Sequence, residues 1–397
     1  MKITLETTLH LHDIQIRKDN KNYIVEDTKT QEFYEMPMVC IDAIELINEG
    51  CSVGEIEQKL IEKYPNEDID VIDFVDQLLD IDLIKAINGE ELKQKGRNPS
   101  KLGFEWISPT IGKVFFNKYT NYLYGALFVI SISIFIINPS LFPYYRDLFI
   151  FDIMSLNILI YGILSLVLVL VHELGHILAI RSFNLPTKLE IGHRLFLVVF
   201  ETDMTLAWKL PQKKRNILYL AGICFDSVIL FIALLTKLII PLPSEIISGI
   251  IGLIIFDIVV RTIYQCCIYM KTDFYFLFQN LTGCYNLMEN GNQFLKNLFS
   301  KNNVKSIDLF KGEHSVVRFF SIFYVIGVGI TLCLFSIFYI PQLIYMGVKV
   351  LPGLTRTMDS PLFWDAIIYS FQMFLLIGLF VFSIGKTRRR KMSKFEN

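Results

Sequence analysis

Up to about residue 90 the apolar positions come in short alternations and short helical repeats, and from about residue 118 onward they come in long runs. In 11–35 the apolar residues Ile14 and Ile16, then Tyr23, Ile24 and Val25, flank the polar cluster Lys18-Asp19-Asn20-Lys21-Asn22. That pattern predicts a small antiparallel hairpin, with a third strand in 32–36. Three amphipathic runs follow, 39–47, 53–64 and 70–79. The first places Cys40, Ala43, Ile44 and Ile47 on one helical face, and the third does the same with Val71, Phe74, Val75, Leu78 and Leu79. Ser52 followed by Glu55 is the signature of a capping box at the start of the second run. Two or three strands with three helices predict a small α+β, winged-helix-like domain over 1–87. The polar stretch 88–100 opens a linker that runs to residue 117.

A hydrocarbon core of ~30 Å needs about 20 mostly apolar residues in a helix. Six windows qualify: 119–138, 154–181, 216–240, 246–269, 317–340 and 363–385. The fold class expected is therefore an α-helical polytopic membrane protein with about six transmembrane helices and the small N-terminal domain. Residues 118–295 form a core of four spans with a β-hairpin between the second and third, and 296–397 add two spans and a basic tail. Arg181, Lys188, Arg194, Lys209, Lys213, Lys214 and Arg215 lie between spans two and three. Lys271, Lys296, Lys301, Lys305 and Lys311 follow span four, and Lys386 to Lys391 follow span six. The other side holds little more than Arg146, Lys237, Lys349 and Arg356. By the positive-inside rule both termini are cytoplasmic, which agrees with a polar N-terminus that has no secretory signal pattern.

Composition sharpens this picture. With 53% hydrophobic and 19% charged residues and a mean hydropathy of +0.45, the chain is neither disordered nor simply soluble. The formal net charge of −1 conceals two opposed parts: residues 1–115 carry 13 Lys/Arg against 23 Asp/Glu, and the remainder 25 against 16. An acidic first domain, followed by basic charges scattered among apolar stretches, excludes nucleic acid as the main partner. The seven cysteines have no C-x-x-C spacing, so they define neither a disulfide framework nor a zinc ribbon.

Within the second span stands His172-Glu173-Leu174-Gly175-His176, an H-E-x-x-H pattern on a helix. Histidines four apart share a face, so both imidazoles can reach one zinc ion while the intervening glutamate acts as base on a metal-activated water. The alternative is a polar cluster that only glues helices together. A catalytic zinc site needs a third protein ligand, and the candidates are His193, Glu201, Asp203, Asp226, Asp257 and Asp273. The second span runs inward, which puts His172 and His176 in its cytoplasmic half. Asp273, at the cytoplasmic end of the fourth span, matches that depth. Asp257 reads as an i,i+4 ion pair with Arg261, and Asp226 either supports the ligands or bridges helices. His193, Glu201 and Asp203 lie around the apolar run 195–200, which predicts a hairpin. Such a hairpin could hold an extended peptide by strand addition, or merely connect two spans. His10 and His12 read as exposed strand residues rather than ligands.

The ordered set His172-Glu173-Leu174-Gly175-His176, Phe200-Glu201-Thr202-Asp203, Ala207-Trp208, Leu220-Ala221-Gly222 and Thr272-Asp273-Phe274-Tyr275 resembles the site-2-protease-type (M50) intramembrane zinc metallopeptidases over about 154–295. It resembles especially the branch associated with ribosomally made, modified peptides. The resemblance implies Zn2+ as cofactor, His172, His176 and Asp273 as its ligands, and Glu173 as catalytic base. Two departures stand out: Phe274 occupies a position usually held by Gly, and Ile223 one usually held by Pro. The N-terminal run 33–87, with Gly50-Cys51-Ser52-Val53-Gly54-Glu55-Ile56 at its second helix, is similar to PqqD-like leader-peptide recognition domains.

Together these readings lead to the expectation of a zinc endopeptidase in the cytoplasmic membrane of a bacterium, cutting a precursor peptide recruited by the N-terminal domain. Its partners would be that peptide, membrane lipid, and a peptide-modifying enzyme and exporter. The alternatives are a regulatory protease that cuts a transmembrane signalling protein, and a non-catalytic export or immunity component.

Overall fold

The computed structural model describes residues 3–92, 103–195, 197–241, 244–299 and 312–395, so residues 93–102 of the expected linker lie outside the described residues. The chain divides into two compact units, Met1–Leu102 with Trp208–Gln212, and Gly103–Ala207 with Lys213–Glu396.

The first unit contains β1 (Leu9–Leu11), β2 (Ile14–Asp19), β3 (Asn22–Asp27), β4 (Phe33–Met36), α1 (Met38–Asn48), α2 (Val53–Lys63), α3 (Val71–Asp80), β5 (Ile84–Ile87) and β6 (Glu90–Glu91). The expected hairpin is β2–β3, paired in antiparallel register from Ile14↔Asp27 to Asp19↔Asn22, and β4 adds the third strand. Asn20 takes the left-handed conformation (φ 55°) that its tight turn needs. A second sheet has the order β1-β5-β6. Its β6 lies beyond Ile87, in what the polarity of the sequence marks as linker. Asn88-Gly89, with φ of 50° and 82°, is the two-residue turn that folds it back. The three helices fall where the periodicity predicts. Their apolar faces, with Leu9 and Val25 from the strands, form one core in which Ile44, Ile47, Val53, Ile56, Val75 and Leu83 are fully buried.

The second unit contains α4 (Pro109–Phe115), α5 (Lys118–Ile137), α6 (Met154–Ser182), β7 (Leu189–Arg194), β8 (Leu197–Thr202), α7 (Gln212–Ile239), α8 (Glu245–Gln265), α9 (Asp273–Thr282), α10 (Leu287–Phe299), α11 (His314–Leu334), α12 (Ile340–Val350) and α13 (Pro361–Phe395). Among the described residues six helices are long and apolar enough to cross a membrane: Lys118–Ile137, Met154–Ser182, Gln212–Ile239, Glu245–Gln265, His314–Ile337 and Pro361–Lys386. They match the six sequence windows to within a few residues. The fourth stops earlier than its window because the chain turns at Ile268–Met270 before α9 begins.

Small residues bring the helices around the HELGH sequence close together. A Cβ on Gly175 would lie 2.6 Å from the carbonyl oxygen of Ala221, so α6 and α7 meet backbone to backbone there. Deeper in the bundle Leu168, Leu230, Leu234, Ile255 and Ile258 from α6, α7 and α8 pack into one apolar cluster. β7 and β8 form the expected hairpin, in register from Leu189↔Thr202 to Arg194↔Leu197.

Candidate metal centre

α6 is helical through its polar residues because every backbone group in a lipid-embedded helix must be bonded within it. Its 3.6-residue period then stacks His172 over His176, four positions on. Both rings are buried, as is Glu173. His172, Glu173 and His176 offer ligand atoms within 4.8 Å of one another, a group that could bind a metal ion.

Asp273 completes a tighter cluster than that group alone. Its Oδ2 lies 3.0 Å from His172 Nε2 and 3.2 Å from His176 Nε2, and the two Nε2 atoms are 3.3 Å apart. Four-coordinate zinc with bonds of roughly 2.0–2.1 Å separates neighbouring ligand atoms by about 3.3 Å, so the three spacings suit that ion.

The other ring nitrogens decide where the protons sit. His172 Nδ1 is 2.7 Å from Asp226 Oδ2, and His176 Nδ1 is 2.9 Å from the carbonyl oxygen of Leu218. Both partners only accept, so in neutral imidazoles each Nδ1 carries the hydrogen and each Nε2 keeps its lone pair. Two lone pairs and a carboxylate oxygen then converge within 3.3 Å, an arrangement that asks for a cation. Gly222 makes room for the His172 ring: a Cβ there would fall 2.2 Å from its Nε2.

Each remaining group is held from a different element. Gln265, at the end of α8, donates through Nε2 to Asp273 Oδ2 at 3.0 Å and accepts from the Asp273 backbone N–H at 2.9 Å. Asp273 starts α9, and the left-handed residue of this turn is Lys271 (φ 54°, ψ 45°), whereas Phe274 is helical. A side chain other than glycine after Asp273 is therefore accommodated without strain. Glu173 Oε2 accepts from Thr202 Oγ1 at 2.7 Å, so the last residue of β8 grips the glutamate. Asp226 Oδ1 accepts from Arg261 Nη1 at 3.1 Å. Arg261 also pairs with Asp257, as its i,i+4 spacing predicts, and donates to the Leu168 carbonyl oxygen at 2.9 Å.

The other ligand candidates are engaged elsewhere. His193 Nδ1 meets Ser383 Oγ at 2.8 Å, Glu201 is paired with Arg194 at 2.6 Å, and Asp203 accepts from the Thr205 backbone N–H at 3.0 Å. His10 is exposed on β1. Sequence reasoning misses Thr202 and Gln265 altogether, although Thr202 stands in a run already singled out.

Fold and site together define a multi-pass membrane protein with a buried His-Glu-His group able to bind a metal ion. Comparison with protein-family models, with curated proteins and with solved structures finds no match for this chain.

Proposed function

We propose that the protein is a zinc-dependent endopeptidase working inside the cytoplasmic membrane of a bacterium. It cuts a ribosomally made precursor peptide that its acidic, PqqD-like N-terminal unit recruits, and His172, His176 and Asp273 hold the zinc. The observation that carries the reading is the convergence of His172 Nε2, His176 Nε2 and Asp273 Oδ2 at 3.0–3.3 Å, with the carboxylate of Glu173 beside them. Zn2+ bound there would supply Lewis acidity, bringing the pKa of a water to about 7 and polarising a carbonyl.

The chain's own residues do the rest. Glu173 takes a proton from the attacking water and returns it to the leaving amine nitrogen. Thr202, donating to Glu173 Oε2, fixes which oxygen does this and ties the base to the hairpin. An extended peptide added to that hairpin would bring its backbone past Glu173. In the first unit β2 and β4 are edge strands of their sheet, which gives a leader segment a place to pair. Holding the leader raises the effective concentration of the cleavage site at the membrane.

Purified full-length protein should contain about one zinc per chain. Glu173→Ala should keep that zinc and lose cleavage of a precursor co-expressed with it. A metal-free protein that still cuts, or a Glu173→Ala variant that cuts at the wild-type rate, refutes the proposal.

A further inference from the structure

The hydroxyl of Tyr264 is buried and has no hydrogen-bond partner among the described residues. Tyr264 lies on α8 three residues after Arg261 and directly before Gln265. Positions 257, 261, 264 and 265 recur at i, i+4, i+7 and i+8, so they share one stripe of that helix. Three of the four already serve the metal group: Asp257 and Arg261 through Asp226, and Gln265 through Asp273. The phenol is also within reach of the charges of Asp273 and of Arg194, the residue that ends β7 and pairs with Glu201. The charges it feels thus come from both the candidate ligand and the hairpin.

A buried hydroxyl without a partner costs stability, and more so away from water. The cost is offset if an oxygen from outside the chain accepts its hydrogen bond. We infer that Tyr264 is a catalytic residue whose hydroxyl donates a hydrogen bond to the scissile carbonyl oxygen as that oxygen gains negative charge. The inference rests on the endopeptidase reading.

The electron and proton balance is simple. Water oxygen bonds to the carbonyl carbon, its proton passes to Glu173, and the C=O π pair moves onto the carbonyl oxygen, where Tyr264 Oη–H donates to it without giving up its proton. On collapse the C=O bond reforms, the C–N bond breaks, and the amine nitrogen leaves with the proton from Glu173. A donor preorganised for the charged oxygen and idle in the ground state acts on the transition state rather than on peptide binding.

The test compares full-length wild type, Glu173→Gln and Tyr264→Phe in lipid nanodiscs, with dye-labelled β-casein as an unstructured substrate. Turnover, zinc content and the melting temperature of the chelator-treated protein are measured for each. Tyr264→Phe should lower kcat by about 10²–10³-fold, leave KM and zinc content unchanged, and melt at or above the wild-type temperature because the idle hydroxyl is gone. Wild-type turnover in Tyr264→Phe, a rise in KM at constant kcat, or a lower melting temperature of the metal-free variant overturns the inference. If wild type and Glu173→Gln behave alike, both active or both inert, the endopeptidase reading itself has failed.

Discussion

At the scale of single residues, Asp226 has the most specific job after the candidate ligands and Glu173. One oxygen accepts from His172 Nδ1 and the other from Arg261, so it sets the tautomer that turns the Nε2 lone pair of His172 towards the cluster. Asp226→Asn keeps the shape but removes the charge that favours an imidazole Nδ1–H donor and a bound cation. Its metal affinity should fall by about 10–100-fold, read by competition with a chelating dye, while the chain stays folded because Arg261 retains Asp257. Unchanged affinity would reduce Asp226 to a helix bridge. The sequence displays His172, Glu173 and His176 openly because i,i+4 geometry is local. Asp273 is reached through depth in the membrane, which charge distribution encodes. Thr202 is hidden and the choice between the two roles of Asp226 stays open in the sequence, since both depend on contacts with α6 across 29 and 54 residues of chain. Hydropathy and spacing say nothing about such packing.

At the scale of elements, the short helices of the first unit are specified by local chemistry that can be tested one bond at a time. Ser52 Oγ accepts from the Glu55 backbone N–H at 3.4 Å, and Glu55 Oε2 accepts from the Ser52 backbone N–H at 2.8 Å. These bonds hold the Glu55 carboxyl below its ordinary value of 4.5. A depressed carboxyl contributes stability that is fully present above its unfolded value and is lost as pH falls through its folded one. Ser52→Ala removes the hydroxyl that accepts from the Glu55 backbone N–H and should destabilise α2 by about 1 kcal/mol, seen as faster amide exchange in residues 53–63 of the full chain. That variant keeps the Ser52 backbone N–H, so the carboxyl's share is read from Glu55→Gln: its difference from wild type should shrink as pH drops below 4.5, and a pH-independent difference would show that the carboxyl takes no part. Capping boxes and amphipathic periods are legible for the same reason the test is clean: they involve neighbours three or four residues apart. The pairing of β1 with β5, Leu9↔Ile87, joins distant parts of the chain and has no local signature. β6 was obscured because two glutamates after Asn-Gly look like the start of a polar linker.

At the scale of the whole molecule, the number of spans and the distribution of charge constrain function together. Six spans are an even number, so both termini lie on one side if all six cross. The Lys/Arg-rich segments between spans two and three, after span four and after span six fall on that same side. If that side is the cytoplasm, as the positive-inside rule expects, the proposed peptide partner of the acidic segment 1–115 is one made in the same compartment. The candidate ligand Asp273 lies towards the same side, because it follows the end of α8 that faces it. This arrangement can be tested without knowing any substrate. In a chain whose seven native cysteines are replaced, Ser140→Cys, exposed after α5, should react with a membrane-impermeant maleimide in intact cells. Lys213→Cys, exposed at the start of α7, should react only after permeabilisation. The reverse pattern would put the N-terminal unit outside the cell. Recruitment of a newly made precursor would then be ruled out even if the metal group binds zinc as tightly as its geometry suggests.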